Sequence, residues 1–212
     1  MSDGRDVYGL PIPDATVVDP GTNLLVVGPA MTGKQRLGLE ALAAGSVAGD
    51  GAVVVSTRDT GSRLLETYTD LTDADDPLVG IIDCVTTQQG VTPTEDDRIR
   101  YTSSHVDMTE IGIAFSELLE SFYGDHGRKR NRVLLSSLST LLMYADLETV
   151  FRFLHVFTGR VRNANALGLY CLDSTAHDVQ TINTLTQLFD GQLTVSPDEA
   201  PTVRLSEAQR LD

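Results

Sequence analysis

Residues 22–28 (TNLLVVG) are an apolar run closed by a glycine, and Gly28-Pro29-Ala30-Met31-Thr32-Gly33-Lys34-Gln35 begins on that glycine. A stretch of small and apolar residues with helical character, 34–48, starts inside the same octet. GxxxxGK between a strand and a helix is the pattern of a phosphate-binding loop. Glycines let successive backbone N–H groups turn inward on an anion, and the positive end of the following helix adds to the attraction. Fourteen of the chain's sixteen basic residues are arginine, yet Lys34 stands where a compact ammonium meets β- and γ-phosphates; Lys129 is the other lysine. The candidate nucleotide-binding set is Gly28, Pro29, Ala30, Met31, Thr32, Gly33, Lys34, Gln35 and Arg36.

The rest of the chain alternates strand-like and helical stretches. GAVVVST (51–57), LVGIIDCVT (78–86), RVLLSSLS (132–139) and LGLYCLD (167–173) read as buried strands. Asp107 with Glu110 and, further on, Asp146 mark helix starts. Val179, Ile182, Leu185 and Phe189 share one helix face, and QLTV (192–195) with TVRL (202–205) form a closing hairpin. Residues 87–104 show no period and read as an exposed loop with one short extended piece. Alternating strands and helices predict an α/β domain built on a mainly parallel sheet sandwiched by helices. A chain of 212 residues fits one domain, assigned to 15–205 with an N-terminal extension at 1–14 and a tail at 206–212.

Charge narrows the setting. Thirty acids, 21 of them Asp, oppose 16 bases, for a net charge of −14. The excess of Asp with lysine nearly absent predicts a salt-rich cytoplasm, as in a halophilic archaeon. In molar salt the Debye length is about 3 Å, so self-repulsion costs little. The same field disfavours nucleic acid as a partner. No apolar run is long enough for a membrane span, and the acidic N-terminus does not read as a secretory signal. Cys84 and Cys171 both end strand-like runs and read as buried thiols of a reducing cytoplasm.

Two positions that serve a metal in phosphate-loop enzymes are altered. The residue after Lys34 is Gln35 rather than a Ser or Thr whose hydroxyl meets Mg²⁺. In Val133-Leu134-Leu135-Ser136-Ser137-Leu138-Ser139, Ser136 replaces the expected Asp, so no charge is brought to magnesium. The order of parts nevertheless resembles KaiC/RecA-like ATPases of the single-domain kind common in archaea, alongside recombinase paralogues. PGTNLLVVGPAMTGK, GAVVVSTRD, VDMTEIGIAFSELL, RVLLSSLS and LYCLDSTAHD…TLTQLFDG carry the resemblance, over about residues 15–195. It implies a RecA-type core with ATP or ADP at the strand C-termini, and Mg²⁺ placed by Gln35 and Ser136 if at all. It also implies that Asp59, after the second strand, stands where a catalytic glutamate positions water; the alternative is that Asp59 starts the next helix. Asp83 and Asp173 end other strands and are metal or capping candidates, and Asp173-Ser174-Thr175 matches a γ-phosphate-sensing segment.

Arg128-Lys129-Arg130-Asn131-Arg132 is the one basic cluster. It lacks the aromatics of a single-strand platform and reads as a solvated loop or a contact to a neighbouring subunit's acids. Arg160 and Arg162 suit a helix C-terminus, or one of them a finger across a subunit interface. Phe151, Phe153 and Phe157 read as core, and His177 as a helix-start residue. The function expected is a regulatory nucleotide-binding module with weak or absent hydrolysis, acting through a homo-oligomer or a partner protein. The alternatives are a scaffold that has lost nucleotide and a recombinase-accessory DNA binder.

Overall fold

A computed structural model describes residues 6–13 and 16–206. Residues 1–5, 14, 15 and 207–212, including most of the expected tail, lie outside the described residues. After β1 (Tyr8–Gly9) and β2 (Val17–Val18), which pair with each other, β3 (Asn23–Gly28) enters the phosphate loop and α1 (Lys34–Val47) leaves it. Next come β4 (Gly51–Ser56), α2 (Gly61–Leu71), β5 (Val79–Asp83) and β6 (Ile99–Tyr101). Then follow α3 (Met108–Gly124), β7 (Asn131–Leu135), α4 (Leu138–Tyr144) and α5 (Leu147–Asn163). The chain ends with β8 (Leu167–Asp173), α6 (Val179–Thr186), β9 (Gly191–Thr194) and β10 (Thr202–Leu205).

Eight strands form one sheet in the order β10-β9-β3-β8-β7-β4-β5-β6, parallel throughout except for the β9–β10 hairpin. Both faces are covered, so the middle positions of the inner strands are apolar on both sides and their period-2 alternation separates two cores. Leu24, Val26, Ala52, Val54 and Leu134 pack with α1 and α2; Leu25, Val27, Val53, Val55, Val133 and Leu135 pack with α3, α5 and α6. Phe157 joins the second core, with Phe151 and Phe153 against it. Asp107 and Asp146 cap α3 and α5 by accepting the N–H groups of Glu110 and Thr149 at 2.9 and 2.8 Å. One helix escaped the sequence pattern. In α4 the serines after β7 do not extend the strand, because Ser137 turns to accept the Thr140 N–H at 3.2 Å and caps seven helical residues.

At the N-terminal ends of the strands, the basic cluster has a use the sequence did not disclose. Asp50, buried just before β4, takes Arg130 Nε on one oxygen at 2.9 Å and Arg132 Nε on the other at 2.8 Å. Arg132 also donates to the Gly9 and Ala41 carbonyls, both at 2.8 Å, and Arg130 donates to the Val7 carbonyl at 2.9 Å and pairs with Asp6. Gly45 makes room for this: a Cβ there would stand 2.2 Å from Arg132 Nε. Both guanidinium groups also lie over the Tyr8 ring, at 4.3 and 5.4 Å. Arg130 and Arg132 are therefore engaged within the chain, Arg132 almost wholly buried and Arg130 half-buried. The same contacts draw in residues 6–13, the described part of the expected extension. Tyr8 is fully buried, its hydroxyl donates to the Asn165 carbonyl at 2.8 Å, and burial pushes its pKa up to about 12.

Arg160 donates to Gly112 O at 2.5 Å and to Ser116 Oγ at 3.1 Å, tying α5 to α3, and Arg162 pairs with Asp190 at 2.8 Å. Both are engaged within the chain. Cys84 and Cys171 are free and buried, and desolvation pushes each thiol up to about 12.

Asp50→Ala strips the buried Arg132 of its carboxylate and leaves Arg130 with Asp6 alone, and is expected to cost about 3–5 kcal/mol. Lys129→Ala, on an exposed side chain of the same cluster, is expected to stay within about 0.5 kcal/mol; urea melts of the two variants make the comparison. Neither cysteine is expected to react with Ellman's reagent at pH 8 in the native protein, and both are expected to react once it is unfolded.

Candidate functional site

The site lies at the C-terminal ends of β3, β8, β7 and β4, where an open parallel sheet exposes its polar chemistry. Gly28 ends β3 in a position with no space for a side chain: a Cβ would stand 2.2 Å from the Val195 carbonyl oxygen. Beyond it the loop closes on the Pro29 carbonyl, which accepts from Thr32 Oγ1 at 2.9 Å and from Lys34 Nζ at 2.5 Å. Ala30 and Met31 form the exposed tip. Met31 and Gly33 hold left-handed φ values of 60° and 83°, the backbone pattern of an anion-binding nest. Gly33 is the natural residue there; Met31 adopts that conformation with its side chain 95% exposed. Gly33 also precedes α1 with no side-chain cap, and no acid occupies the first turn. The first N–H groups of α1 therefore lack the partner that helices usually supply.

Lys34 is only 7% exposed, and its ammonium pairs with Asp173 Oδ1 at 2.7 Å. Asp173 ends β8, directly beside Gly28 in the parallel register. Its backbone is fixed from two sides. Its own N–H donates to Ser139 Oγ at 3.0 Å, and the Ser174 N–H donates to the Gly28 carbonyl at 2.9 Å. His177 Nε2 lies 2.9 Å from the same Ser139 Oγ and ties the following loop to α4. The helix-start role expected of His177 belongs instead to Asp178, which caps α6.

Gln35 and Ser136, the two positions expected to meet a metal, both make internal bonds. Gln35 Nε2 donates to Asp59 Oδ2 at 3.0 Å. Ser136 Oγ accepts the Thr57 N–H at 3.0 Å, and Thr57 Oγ1 donates to the Ser137 carbonyl at 2.7 Å, so Ser136 fastens β4 to β7. Asp59 lies in the cleft, with Arg63 at 3.9 Å from its other oxygen. It does not start α2: Thr60 is the cap residue, and the Gly61 N–H goes to Asp83 Oδ2 at 2.6 Å. Asp83 in turn is fully buried and also accepts from the N–H groups of Val85 and Thr86 and from Thr86 Oγ1. Four donors consume its carboxylate, and it takes no part in the cleft.

Met31 to Arg36, Arg58, Asp59, Arg63, Ser136, Ser137 and Asp173 surround a cleft of about 410 Å³, with Gly28, Pro29 and Ala30 shaping the loop behind it. Arg36 sits at the rim with its guanidinium on Glu40 at 2.8 Å. Arg58 and Arg63 are the site residues that sequence reasoning passed over. They follow β4, which the sheet order brings within reach of β3 with only β8 and β7 between them. The Lys34–Asp173 pair was likewise hidden by a separation of 139 positions, although a carboxylate ending a strand was its one visible signal.

Among solved structures, the chain is similar to the KaiC-like protein PH0186 from the hyperthermophilic archaeon Pyrococcus horikoshii OT3. The TM-score is 0.64 at 12% identity, covering 97% of this chain and 90% of that one. It is also similar to the uncharacterized protein PH0321 from Pyrococcus horikoshii, solved in complex with an unknown peptide. There the TM-score is 0.62 at 12% identity, covering 89% of this chain and 94% of that one. These likenesses establish the KaiC/RecA-like fold. No curated protein matches the sequence, and no helix among the described residues is long and apolar enough to cross a membrane. Residues 21–195 match the profile of a family of unknown function, and the chain belongs to that family, DUF7504.

Proposed function

We propose that the chain binds ATP or ADP at Gly28–Gln35, turns it over weakly or not at all, and passes its occupancy to assembly or to a partner protein. The observation that carries the reading is the buried Lys34 ammonium, held on the Pro29 carbonyl at the base of a loop with left-handed residues at Met31 and Gly33. A nearly buried cation beside uncapped helix N–H groups is complementary to a polyphosphate. Weak turnover is supported by the internal bonds of Gln35 and Ser136 and by the hold of Gln35 and Arg63 on Asp59. A carboxylate shared in this way is poorly placed to orient a water molecule. The basic cluster's engagement with Asp50 weighs against the DNA-binding alternative.

Isothermal titration in molar KCl, the solvent the acid excess favours, is expected to give saturable binding of ADP or ATP. Lys34→Ala is expected to weaken it at least tenfold, as for loss of a charge-assisted hydrogen bond worth about 1.5–3 kcal/mol. Absence of binding for both nucleotides would leave the scaffold reading standing in its place. Gln35→Thr combined with Ser136→Asp is expected to raise phosphate release above the parent protein. A flat rate would show that Asp59 cannot act even with both metal positions restored.

A further inference from the structure

Asp173 is an unusual neighbour for a polyphosphate. Its Oδ1 neutralises Lys34 at 2.7 Å, while its second oxygen has no hydrogen-bond partner among the described residues. A bound nucleotide that takes Lys34 for its phosphates leaves this carboxylate facing like charge. The backbone does not let it retreat, because β8 holds Asp173 beside Gly28 and Ser139 holds its N–H. Rotation of the side chain is the freedom left to it, and any new position stays at the loop.

Of the other acids near the loop, Asp83 is consumed by its four donors, and Asp59, bonded to Gln35 with Arg63 3.9 Å from its other oxygen, follows β4, three strands along the sheet from β3, whereas Asp173 adjoins Gly28 directly. Ser136 has no charge to offer. A magnesium ion is bound by one or two carboxylates together with phosphate oxygens and water, at near-octahedral geometry. A 23%-exposed carboxylate with one unengaged oxygen, fixed at the edge of the phosphate loop, fits that donor set.

We infer that Asp173 is the metal-anchoring carboxylate of this site, taking on from β8 the task that Ser136 cannot perform from β7. In the structure it pairs with Lys34. With nucleotide bound, the phosphates take Lys34 and the Mg²⁺ they carry takes Asp173, so the two exchanges happen together. Binding becomes metal-coupled through a residue outside the two altered positions. The inference rests on the nucleotide reading above and assigns the metal contact within it.

The test is ADP titration of the full chain in molar KCl, with Mg²⁺ or with EDTA, for the parent, Asp173→Asn, Asp173→Glu and Lys34→Ala. The parent is expected to bind at least tenfold more tightly with Mg²⁺ than with EDTA. Asp173→Asn is expected to match or exceed the parent's affinity in EDTA, where like-charge repulsion is gone, and to gain less than threefold from Mg²⁺. Asp173→Glu, which keeps the charge, is expected to recover part of the metal gain. Enhanced water-proton relaxation from Mn²⁺ with ADP, present for the parent and lost in Asp173→Asn, reads the metal contact directly. An Asn variant that keeps the parent's gain from Mg²⁺, or binds more tightly by the same factor in both buffers, overturns the metal role, because Asp173 is then only a competitor for Lys34. No binding by any of the proteins in either buffer overturns the nucleotide reading and the metal role with it.

Discussion

Everything in this protein follows from a parallel sheet buried on both faces. Strands such as Leu24–Val27 and Val53–Val55 send alternate side chains into two separate cores and leave no face for polar groups. Charged residues are thereby driven to the strand ends, where the chain turns. The two ends solve the problem differently. At one, Asp50 and two arginines neutralise each other over Tyr8 in a closed arrangement. At the other, Lys34 and Asp173 are neutralised only by one another, beside a cleft.

That contrast separates structure from chemistry without reference to any relative. Arg132 gives its guanidinium to Asp50 and to two carbonyls and is almost wholly buried, so disturbing it disturbs the fold. Lys34 has a partner that a stronger anion can replace. The exposed Met31 tip, the uncapped start of α1 and the rim arginines lie on the same side of the sheet as that exchange. The substitutions at Gln35 and Ser136 are not bare losses, since each side chain now holds a neighbouring segment in place.

Much of the architecture was readable in advance because it depends on local signals: apolar runs closed by Gly28 or Asp173, and caps at Asp107 and Asp146. The strand–loop–helix turn at Gly28–Gln35 was readable for the same reason, since eight consecutive residues specify it. The parts that were hidden depend on pairings between distant positions. Arg130 and Arg132 looked like a free basic patch because Asp50 is 80 and 82 positions away and Tyr8 lies in a segment with weak periodicity. Residues 138–144 lacked a helix signal because the cap, Ser137, sits within a run that also suits a strand. Gln35 and Asp59 each stood out as departures from a pattern, but nothing in their spacing indicated that they bind one another.

The closeness of Gly28 to the Val195 carbonyl also fixes which side of the loop is braced. Gly28 is hemmed in by β8 through the Ser174 N–H on one side and by the end of β9 on the other. The root of the loop is thus held from both sides, with the hairpin behind it. On its other side the loop runs from the exposed Met31 tip to the Gln35–Asp59 bond just before α2. Under the nucleotide reading proposed above, a surface that reports occupancy belongs on the α1–α2 side of the sheet, away from the hairpin edge.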